Sequence, residues 1–470
     1  RRMGINPLWY RIDQGLFNFA SERKALYYPT PGQLSERALA WYLRFSYIPA
    51  PYSIHRGTWK LLPGYLIEVS NGVVHPPEQW YNPETLVEGP DAPSDLRALL
   101  ETAVADRLLA DVPVGAFLSG GVDSTIVSAL AARHHTALNT FSIGFSDQPL
   151  LDESAYALAA AKHIGSDHHH FELSAKALDA SVYSFLQSID EPFADSSGIA
   201  VDFLSEQTRK YVTVALSGDG ADELFGGYRK HRAHALAQHW PSAAFAAPKI
   251  TAKLFSSAFS RESAFGNKMR QLDRLATGAM LPEQERYSAW AAFTAPDEIK
   301  SLLPGSPLAA LPFHERKGDP LNAVLFADQR NVLPNDMLTK VDLMSMRHSL
   351  EVRTPFLDHR VVEFANRLPA RMKFDRSSGK KILREACADL VPKGFFERPK
   401  KGFEVPLEAI IRSRYNDEVR ALATSEVLVQ SPLDTDAVAL LCSKWLRGDR
   451  RHTQMIWHLF VLNHWLKKSA

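Results

Sequence analysis

Short apolar runs alternate with segments of helical periodicity in the part of the chain that follows residue 95. The helical segments separate apolar runs at residues 114–118, 140–145, 170–173 and 211–216. Short apolar strands separated by helices of roughly ten or more residues are typical of βαβ units, in which a parallel sheet is covered on both faces. The sequence therefore predicts an α/β fold with a doubly wound parallel sheet.

The flanking parts of the chain have different patterns. Alternating apolar and polar positions, interrupted by Pro-Gly and Asn-Gly pairs, predict short strands before residue 75. A stretch rich in proline and acidic residues follows and is typical of a linker. The C-terminal half is rich in Ala, Leu, Trp and Arg and predicts mainly helices. We therefore expect a β-rich unit at 1–75, a linker at 76–94 and a main domain at 95–470, divided into an α/β core at 95–230 and a mainly helical region at 231–470.

Composition narrows the class of protein. The 470 residues carry 54 Lys and Arg against 53 Asp and Glu, a formal net charge of +1 that weighs against a dedicated nucleic-acid binder. The two cysteines, Cys387 and Cys442, form no CxxC pair, which excludes a disulfide framework and favours a reducing, cytoplasmic location. No apolar stretch reaches the roughly 18 residues of a membrane span, so we expect no membrane partner.

A glycine-rich segment, Ser119-Gly120-Gly121-Val122-Asp123-Ser124, joins the first predicted strand to a predicted helix. Backbone N–H groups in such a turn, together with the positive end of the helix, form an anion site for phosphates. Asp123 is placed to hold a magnesium ion that bridges phosphate oxygens. A strand-to-helix turn that needs only glycine and a capping residue is the alternative. The segment lacks the Lys-Ser/Thr ending of a Walker motif, which disfavours γ-phosphate transfer.

A second glycine-rich segment runs from Ser217 to Tyr228 and also follows a predicted strand. Ligands bind outside the carboxyl ends of parallel strands, where both segments would lie. Asp222 is then a candidate second magnesium ligand, and Asp219 a candidate acid or base beside the substrate. Each acidic residue alone is more often a cap or a solvated turn residue. Two such loops at equivalent strand ends favour a functional site over the structural alternative.

Four motifs in this order resemble the glutamine-dependent asparagine synthetase family. They are SGGVDS at 119–124, SGDGADELFGGY at 217–228, SLEVRTPFLD at 349–358 and RPKKGF at 398–403. The first of them resembles the PP-loop of the ATP pyrophosphatases, which cleave ATP between its α- and β-phosphates. RMGINPLWY, FASERKAL and LPGY resemble the last third of the family's N-terminal-nucleophile (class II) glutaminase domain, so the likeness extends over nearly the whole chain.

The resemblance implies a two-step ligase that uses ATP and Mg²⁺. A substrate carboxylate attacks the α-phosphate to give an acyl-adenylate and pyrophosphate, and ammonia then displaces AMP to give an amide. The resemblance implies that the PP-loop residues bind pyrophosphate, namely Ser119, Gly120, Gly121, Val122, Asp123 and Ser124. It implies that Asp123 and Asp222 bind magnesium and that Lys400 contacts the phosphates. The implied adenosine pocket consists of Phe117, Leu118, Ile143, Ser217 and Gly218. Negative charge accumulates around the α-phosphate as pyrophosphate leaves, which suits a lysine.

Position 219 departs from the family pattern, because the well-studied asparagine synthetases carry Glu where this chain has Asp219. The carboxylate there helps to form or hold the acyl-adenylate, and Asp reaches one methylene less far. The SGDG form is similar to asparagine-synthetase-like enzymes linked to surface-polysaccharide or peptide modification. Glu351 and Arg353 lie in a motif near the family's acceptor site, with a structural salt bridge as the equal alternative.

L-Aspartate is the default acceptor, and a glycan uronic acid or a peptide carboxylate is the alternative. A nucleic-acid-modifying PP-loop enzyme and a non-catalytic binding module are further alternatives, opposed by the net charge and by the joint presence of Asp123, Asp222 and Lys400. We expect small-molecule partners, namely ATP, the acceptor and ammonia or glutamine, with a homodimer possible. A family glutaminase uses an N-terminal cysteine, whereas residue 1 is Arg, so we expect an incomplete glutaminase domain and ammonia-dependent turnover.

Overall fold

The computed structural model describes residues 2–13, 15–26, 32–84, 92–145, 152–239, 245, 264–306, 310–313, 319–375, 379–397 and 405–469. Small antiparallel sheets form the first part of the chain. β1 lies between β2 and β3, while β4 pairs with β7 and β5 with β6. The strands are β1 (Trp9–Asp13), β2 (Leu16–Ala20), β3 (Thr58–Lys60), β4 (Tyr65–Leu66), β5 (Val69–Ser70), β6 (Val73–Val74) and β7 (Glu78–Gln79). β7 falls inside the predicted linker.

A helix, α1 (Glu36–Phe45), interrupts this β-rich unit, and the prediction of strands alone was wrong there. Ser35 caps its first turn by accepting a hydrogen bond from the Ala38 N–H at 3.3 Å. Every residue from position 38 to position 45 is buried, although the segment carries Glu36, Arg37 and Arg44 and its apolar positions follow a helical period.

Five parallel strands form the central sheet in the order β10-β9-β8-β11-β12, which confirms the predicted α/β fold. They are β8 (Val114–Phe117), β9 (Asn139–Gly144), β10 (Asp167–Glu172), β11 (Val214–Leu216) and β12 (Glu351–Arg353). β12 was not predicted, because two of its three residues are charged and it lies at the sheet edge, where one side of the strand needs no partner.

Helices cover both faces of this sheet. Val114 and Ala116 pack on one face with residues of α2 and α3, whereas Phe141 and Ile143 pack on the other with residues of α5 and α6. These helices are α2 (Pro93–Leu108), α3 (Val122–Ala132), α4 (Ser154–Ile164), α5 (Ala175–Ser188) and α6 (Ser197–Thr208). The chain leaves β8 towards β9 and leaves β11 towards β12, on the opposite side, so the order of strands reverses between β8 and β11. Ligands bind at such a reversal in doubly wound folds.

The rest of the described chain is mainly helical, as predicted. Its helices are α7 (Ala221–Phe225), α8 (Arg229–His239), α9 (Ala264–Ala279), α10 (Glu283–Ala291), α11 (Pro296–Leu302), α12 (Pro320–Arg330), α13 (Leu338–Met346), α14 (His359–Arg367), α15 (Ala370–Lys373), α16 (Lys381–Ala386), α17 (Leu407–Arg414), α18 (Asn416–Ala421), α19 (Glu426–Val429), α20 (Thr435–Leu446) and α21 (Thr453–Ser469). Within the described ranges, no helix combines the length and apolar character needed to cross a membrane.

Candidate functional site

The two glycine-rich loops meet at the point where the strand order reverses. They follow β8 and β11, which are neighbours in the sheet. A Cβ atom added at Gly218 would lie 2.8 Å from the Ser124 nitrogen and 3.0 Å from the Asp123 Cβ. The second loop therefore approaches the first so closely that only glycine fits at this position.

The first loop turns sharply and opens into α3. Gly120 has a φ of +72°, and Gly121 stands at the helix N-cap. Ser119 Oγ lies 3.1 Å from Ser124 Oγ and accepts a hydrogen bond from the Gly121 N–H at 3.3 Å. The loop thus directs backbone N–H groups and two hydroxyls towards one concave turn at the positive end of a helix, the arrangement that binds anions.

Two carboxylates and one ammonium group meet above these loops. Lys380 Nζ lies 2.6 Å from Asp123 Oδ2 and 2.7 Å from Asp222 Oδ1. All three side chains are mostly buried, with 12 to 17% of each exposed. The fold therefore brings the two predicted magnesium ligands to a single point and holds a cation between them.

Lys380 is the residue that sequence reasoning missed. Its backbone is left-handed, with a φ of 59°, and its N–H donates to the Phe225 carbonyl at 2.9 Å. A Cβ on the preceding Gly379 would overlap the Gly226 carbonyl oxygen, so the Gly-Lys pair is fitted against the end of the second loop. A glycine followed by two lysines before a helix was the only signal in the sequence, and it does not indicate which carboxylates the lysine meets.

Asp219 lies at the start of the second loop. Its side chain contacts Ser217 Oγ, and its N–H donates to the same oxygen at 3.2 Å. Farther along this loop, burial raises the pKa of Glu223 to about 7, while the Tyr228 hydroxyl donates to Glu223 Oε1 at 2.6 Å and opposes that rise. Glu223 is therefore buried and hydrogen-bonded within the second loop, whereas Asp219 is partly exposed at the start of that loop.

The residues predicted to form an adenosine pocket lie at the carboxyl ends of three adjacent strands. Phe117 ends β8, Ile143 is near the end of β9, and Ser217 and Gly218 follow β11. The Leu118 side chain is fully buried in the core on one face of the sheet, so only its backbone is available to a ligand.

Glu351 and Arg353 form an ion pair with each other on β12, with Arg353 Nε 2.8 Å from Glu351 Oε1. Arg353 Nη1 also donates to the carbonyls of Arg107 and Leu109, at 2.8 and 2.9 Å. This guanidinium therefore also caps the C-terminus of α2 and stabilises its dipole. The ion pair between Glu351 and Arg353 is the salt bridge of the structural alternative. Lys400 lies outside the described residues.

Comparison with known proteins finds the family model described as asparagine synthase over residues 95–467 and a glutamine amidotransferase domain over residues 1–81. A Mycobacterium bovis protein with the provisional name glutamine-hydrolysing asparagine synthetase is 31% identical over 98% of this chain and 72% of its own length. Asparagine synthetase 1 of Bacillus subtilis is 28% identical over 98% of this chain and 73% of its own. Amidase chyE of Penicillium rubens is 25% identical over 90% of this chain and 70% of its own.

Proposed function

The chain belongs to the asparagine synthase family and is an ATP-dependent amidation ligase of the glutamine-hydrolysing type, and from this premise we propose that it adenylates L-aspartate and amidates it to L-asparagine. One observation carries the adenylation step, and the relatives named asparagine synthetase support L-aspartate as the acceptor. A phosphate-binding turn, two carboxylates and a buried lysine converge at the reversal point of the sheet, which is the set of groups that transfer of an adenylyl group requires.

In the first step the acceptor carboxylate attacks the α-phosphorus of ATP, and the bond to the β-phosphate oxygen breaks. The PP-loop N–H groups and the Ser119 and Ser124 hydroxyls bind the leaving pyrophosphate. Lys380 lies beside this turn, and its ammonium group neutralises the charge that the leaving group gains. Phe117 and Ile143 line the apolar side of the nucleotide pocket.

Asp123 and Asp222 are the residues that would hold Mg²⁺. They fit the ion because their oxygens already converge on one cation, the Lys380 ammonium group. Magnesium is commonly held by one or two carboxylates together with substrate phosphates and water, and among the described residues no cluster of three or more acidic, His or Cys ligands competes for it. When bound, the ion supplies charge neutralisation to the phosphates. Lys380 must then turn away from the two carboxylates towards the phosphate oxygens.

In the second step ammonia attacks the acyl carbon and AMP leaves with the electron pair of the C–O bond. The attacking nitrogen must lose a proton, and the base we assign to it is the partly exposed carboxylate of Asp219 at the start of the second loop. The shorter side chain of Asp219 and the amidase-named fungal relative support the second candidate, in which the acceptor is a uronic acid or a peptide carboxylate.

The test measures pyrophosphate release from ATP and Mg²⁺ with ammonium chloride, supplying L-aspartate, D-galacturonate or a peptide with a free carboxylate in turn. We expect stimulation by L-aspartate. Asp123→Asn should lower that rate by about a hundredfold or more, since it removes charge stabilisation of the transition state. The matched control is Asp436→Asn, an exposed aspartate in the first turn of α20. Release that no carboxylate stimulates, or an unaffected Asp123→Asn variant, contradicts the proposal.

A further inference from the structure

A continuous chain of hydrogen-bonded side chains crosses β9 and β10 and takes no part in the chemistry described above. We call His168, Ser142, His170, Ser154 and Asp152 the His170 chain. Ser142 Oγ lies 3.0 Å from His168 Nε2 and 3.0 Å from His170 Nδ1, and Ser154 Oγ lies 3.1 Å from the other nitrogen of the second ring, Nε2. The Ser154 hydroxyl donates to Asp152 Oδ1. The two histidines share one face of the sheet because they are alternate residues of a strand.

The carboxylate at its end gives this chain a direction. Burial would raise the pKa of Asp152, but hydrogen bonds from the Ser154 hydroxyl and N–H lower it, so the carboxylate is ionised and only accepts. Ser154 therefore accepts from His170 Nε2–H. The Nδ1 atom of that neutral ring is left to accept from Ser142, which in turn accepts from His168 Nε2–H. Burial and repulsion from the two neighbouring histidines lower the pKa of His168 to about 4, so its ring is neutral at pH 7.

The His170 chain ends where β9 meets α4, beside the predicted adenosine pocket. Gly144 is the last residue of β9 and follows Ile143 of that pocket. A Cβ atom added at Gly144 would lie 2.7 Å from His170 Cε1 and 2.8 Å from Asp152 Oδ1, so the chain passes the strand end where glycine leaves room for it. Asp152 Oδ1 also accepts from the Ser154 N–H at 3.1 Å and thereby caps the first turn of α4.

The first turn of α4 lies directly against the PP-loop. A Cβ atom added at Gly120 would lie 2.6 Å from the Ala157 nitrogen and 2.8 Å from the Tyr156 Cβ atom. Both residues belong to the helical turn that Ser154 begins. The hydrogen bond between His170 and Ser154 therefore joins β10 to the helical turn on which the PP-loop rests.

Building on the proposed function, we propose that His170 is a positioning residue for the adenine nucleotide. Its Nε2–H group holds Ser154, and with it the first turn of α4, at the distance from the sheet that the PP-loop needs in order to bind the phosphates. The ring acts through α4 and makes no contact of its own with the nucleotide. Loss of this hydrogen bond weakens nucleotide binding. It leaves the adenylation step nearly unchanged, because Asp123, Asp222 and Lys380 keep their contacts with one another.

The test uses two amides that each replace one half of the imidazole. His170→Gln places an amide nitrogen near the Nε2 position and keeps a donor for Ser154. His170→Asn places an amide oxygen near the Nδ1 position, so it keeps the acceptor for Ser142 and loses the donor for Ser154.

Isothermal titration calorimetry measures the Kd of ATP with Mg²⁺ for each variant, and pyrophosphate release with L-aspartate and ammonium chloride measures KM and kcat. We expect His170→Asn to raise the Kd and the KM for ATP by about fivefold, the value of one hydrogen bond, with kcat within about twofold of wild type. His170→Gln should bind ATP as wild type does.

Two further variants separate the positioning role from damage to the strand. His169→Asn is the matched control, because His169 lies on the same strand but faces the opposite side, with its ring 4.1 Å from the Tyr211 ring. It should leave the Kd of ATP unchanged. Ser154→Ala removes the other partner of the hydrogen bond and should weaken ATP binding. The double variant His170→Asn/Ser154→Ala should then weaken binding no further than Ser154→Ala alone, since the two substitutions remove the same contact.

The outcomes separate the two proposals. A raised Kd in His170→Asn with a wild-type Kd in His170→Gln supports the positioning role. Equal Kd values for these two variants, or a lowered kcat with an unchanged KM, overturn it and leave the adenylating ligase in place. Calorimetry needs no acceptor, so a protein that binds ATP but releases no pyrophosphate with any carboxylate contradicts the ligase function, while the Kd values still decide the role of His170. Absence of ATP binding by wild type overturns both.

Discussion

The Lys380 side chain joins the two halves of the candidate site at the scale of a single residue. Its ammonium group neutralises Asp123 and Asp222, which would otherwise repel each other in a mostly buried setting. Under the proposed function the same position would hold a magnesium ion, and we expect lysine and metal to compete for the two carboxylates until phosphate oxygens draw the lysine away. We therefore expect Lys380 to affect metal binding as well as the charge at the phosphates.

Lys380→Met tests both effects, because the apolar side chain keeps the length of the stem and loses the charge. We expect acceptor-stimulated pyrophosphate release to fall by about a hundredfold, the scale of losing one electrostatic contact in a transition state. In the absence of ATP, Mn²⁺ should bind more tightly to the variant than to wild type, because it no longer displaces an ammonium group. Electron paramagnetic resonance of free Mn²⁺ measures this binding.

Lys381→Met is the control for this substitution, since Lys381 is the next residue and begins α16. It should leave both quantities close to their wild-type values. If Lys380→Met lowers the rate but weakens Mn²⁺ binding, the competition between lysine and metal is refuted, and the lysine must act through the phosphates or the fold alone.

At the scale of the element, the turn between β8 and α3 depends on glycine for two separate reasons. Gly120 has a positive φ, and a Cβ there would lie 2.6 Å from the Ala157 nitrogen at the start of α4. Gly57 has almost the same φ, +75°, but no atom within 4 Å of an added Cβ. The two glycines therefore separate the cost of the backbone conformation from the cost of steric overlap.

We expect Gly57→Ala to cost about 1–2 kcal/mol of stability, the price of a left-handed residue with a side chain. Gly120→Ala should cost more, by roughly 1–3 kcal/mol of overpacking, and should displace the turn from α4. Thermal unfolding with and without ATP provides the measurement. ATP should raise the unfolding temperature of wild type and of Gly57→Ala but not of Gly120→Ala; an equal rise in all three would show that the turn does not bind the nucleotide.

At the scale of the whole molecule, the N-terminal unit is joined to the last helix through a buried histidine. His458 on α21 lies 2.8 Å from Ser46 Oγ, just beyond the end of α1, and 3.0 Å from the carbonyl oxygen of Leu43 in the last turn of α1. The Tyr42 hydroxyl donates to the His458 carbonyl at 2.7 Å. Burial lowers the pKa of His458 to about 3, so the folded protein holds this ring in its neutral form.

This histidine should make the packing between the two ends of the chain sensitive to acid. The pKa of this histidine is near 6.5 in the unfolded chain and about 3 in the folded chain. Between these two pH values the unfolded chain binds a proton and the folded chain does not, so stability falls as the pH falls through this window. Between pH 7 and pH 5 the loss is roughly 2 kcal/mol for one such group. Urea unfolding followed by tryptophan fluorescence at the two pH values measures it.

His458→Gln should be less stable than wild type at pH 7, because it disturbs buried hydrogen bonds, and should lose less stability on going to pH 5. The control, His134→Gln, replaces an exposed histidine and should keep the wild-type difference between the two pH values. A His458→Gln variant with an undiminished difference would assign the acid sensitivity to other buried groups.

The sequence by itself determined the α/β core and the two glycine-rich loops. Apolar strands, helical spacing and turn glycines are properties of neighbouring residues, so four strands and the position of Asp123, Ser217 and Asp219 at strand ends could be predicted. The helix α1 was not predicted, although a serine at its N-cap and a helical apolar period mark it in the sequence.

Only the tertiary structure decided which side chains meet. Lys380 is 257 residues from Asp123, and Arg353 lies 246 residues from the Arg107 carbonyl that it caps. Asp195 and Lys340 are 145 residues apart. Contacts of this separation depend on how the helices after β11 return to the sheet edge, which local pattern does not specify. The sequence therefore identified the two glycine-rich loops, and only the tertiary structure determined which lysine faces them.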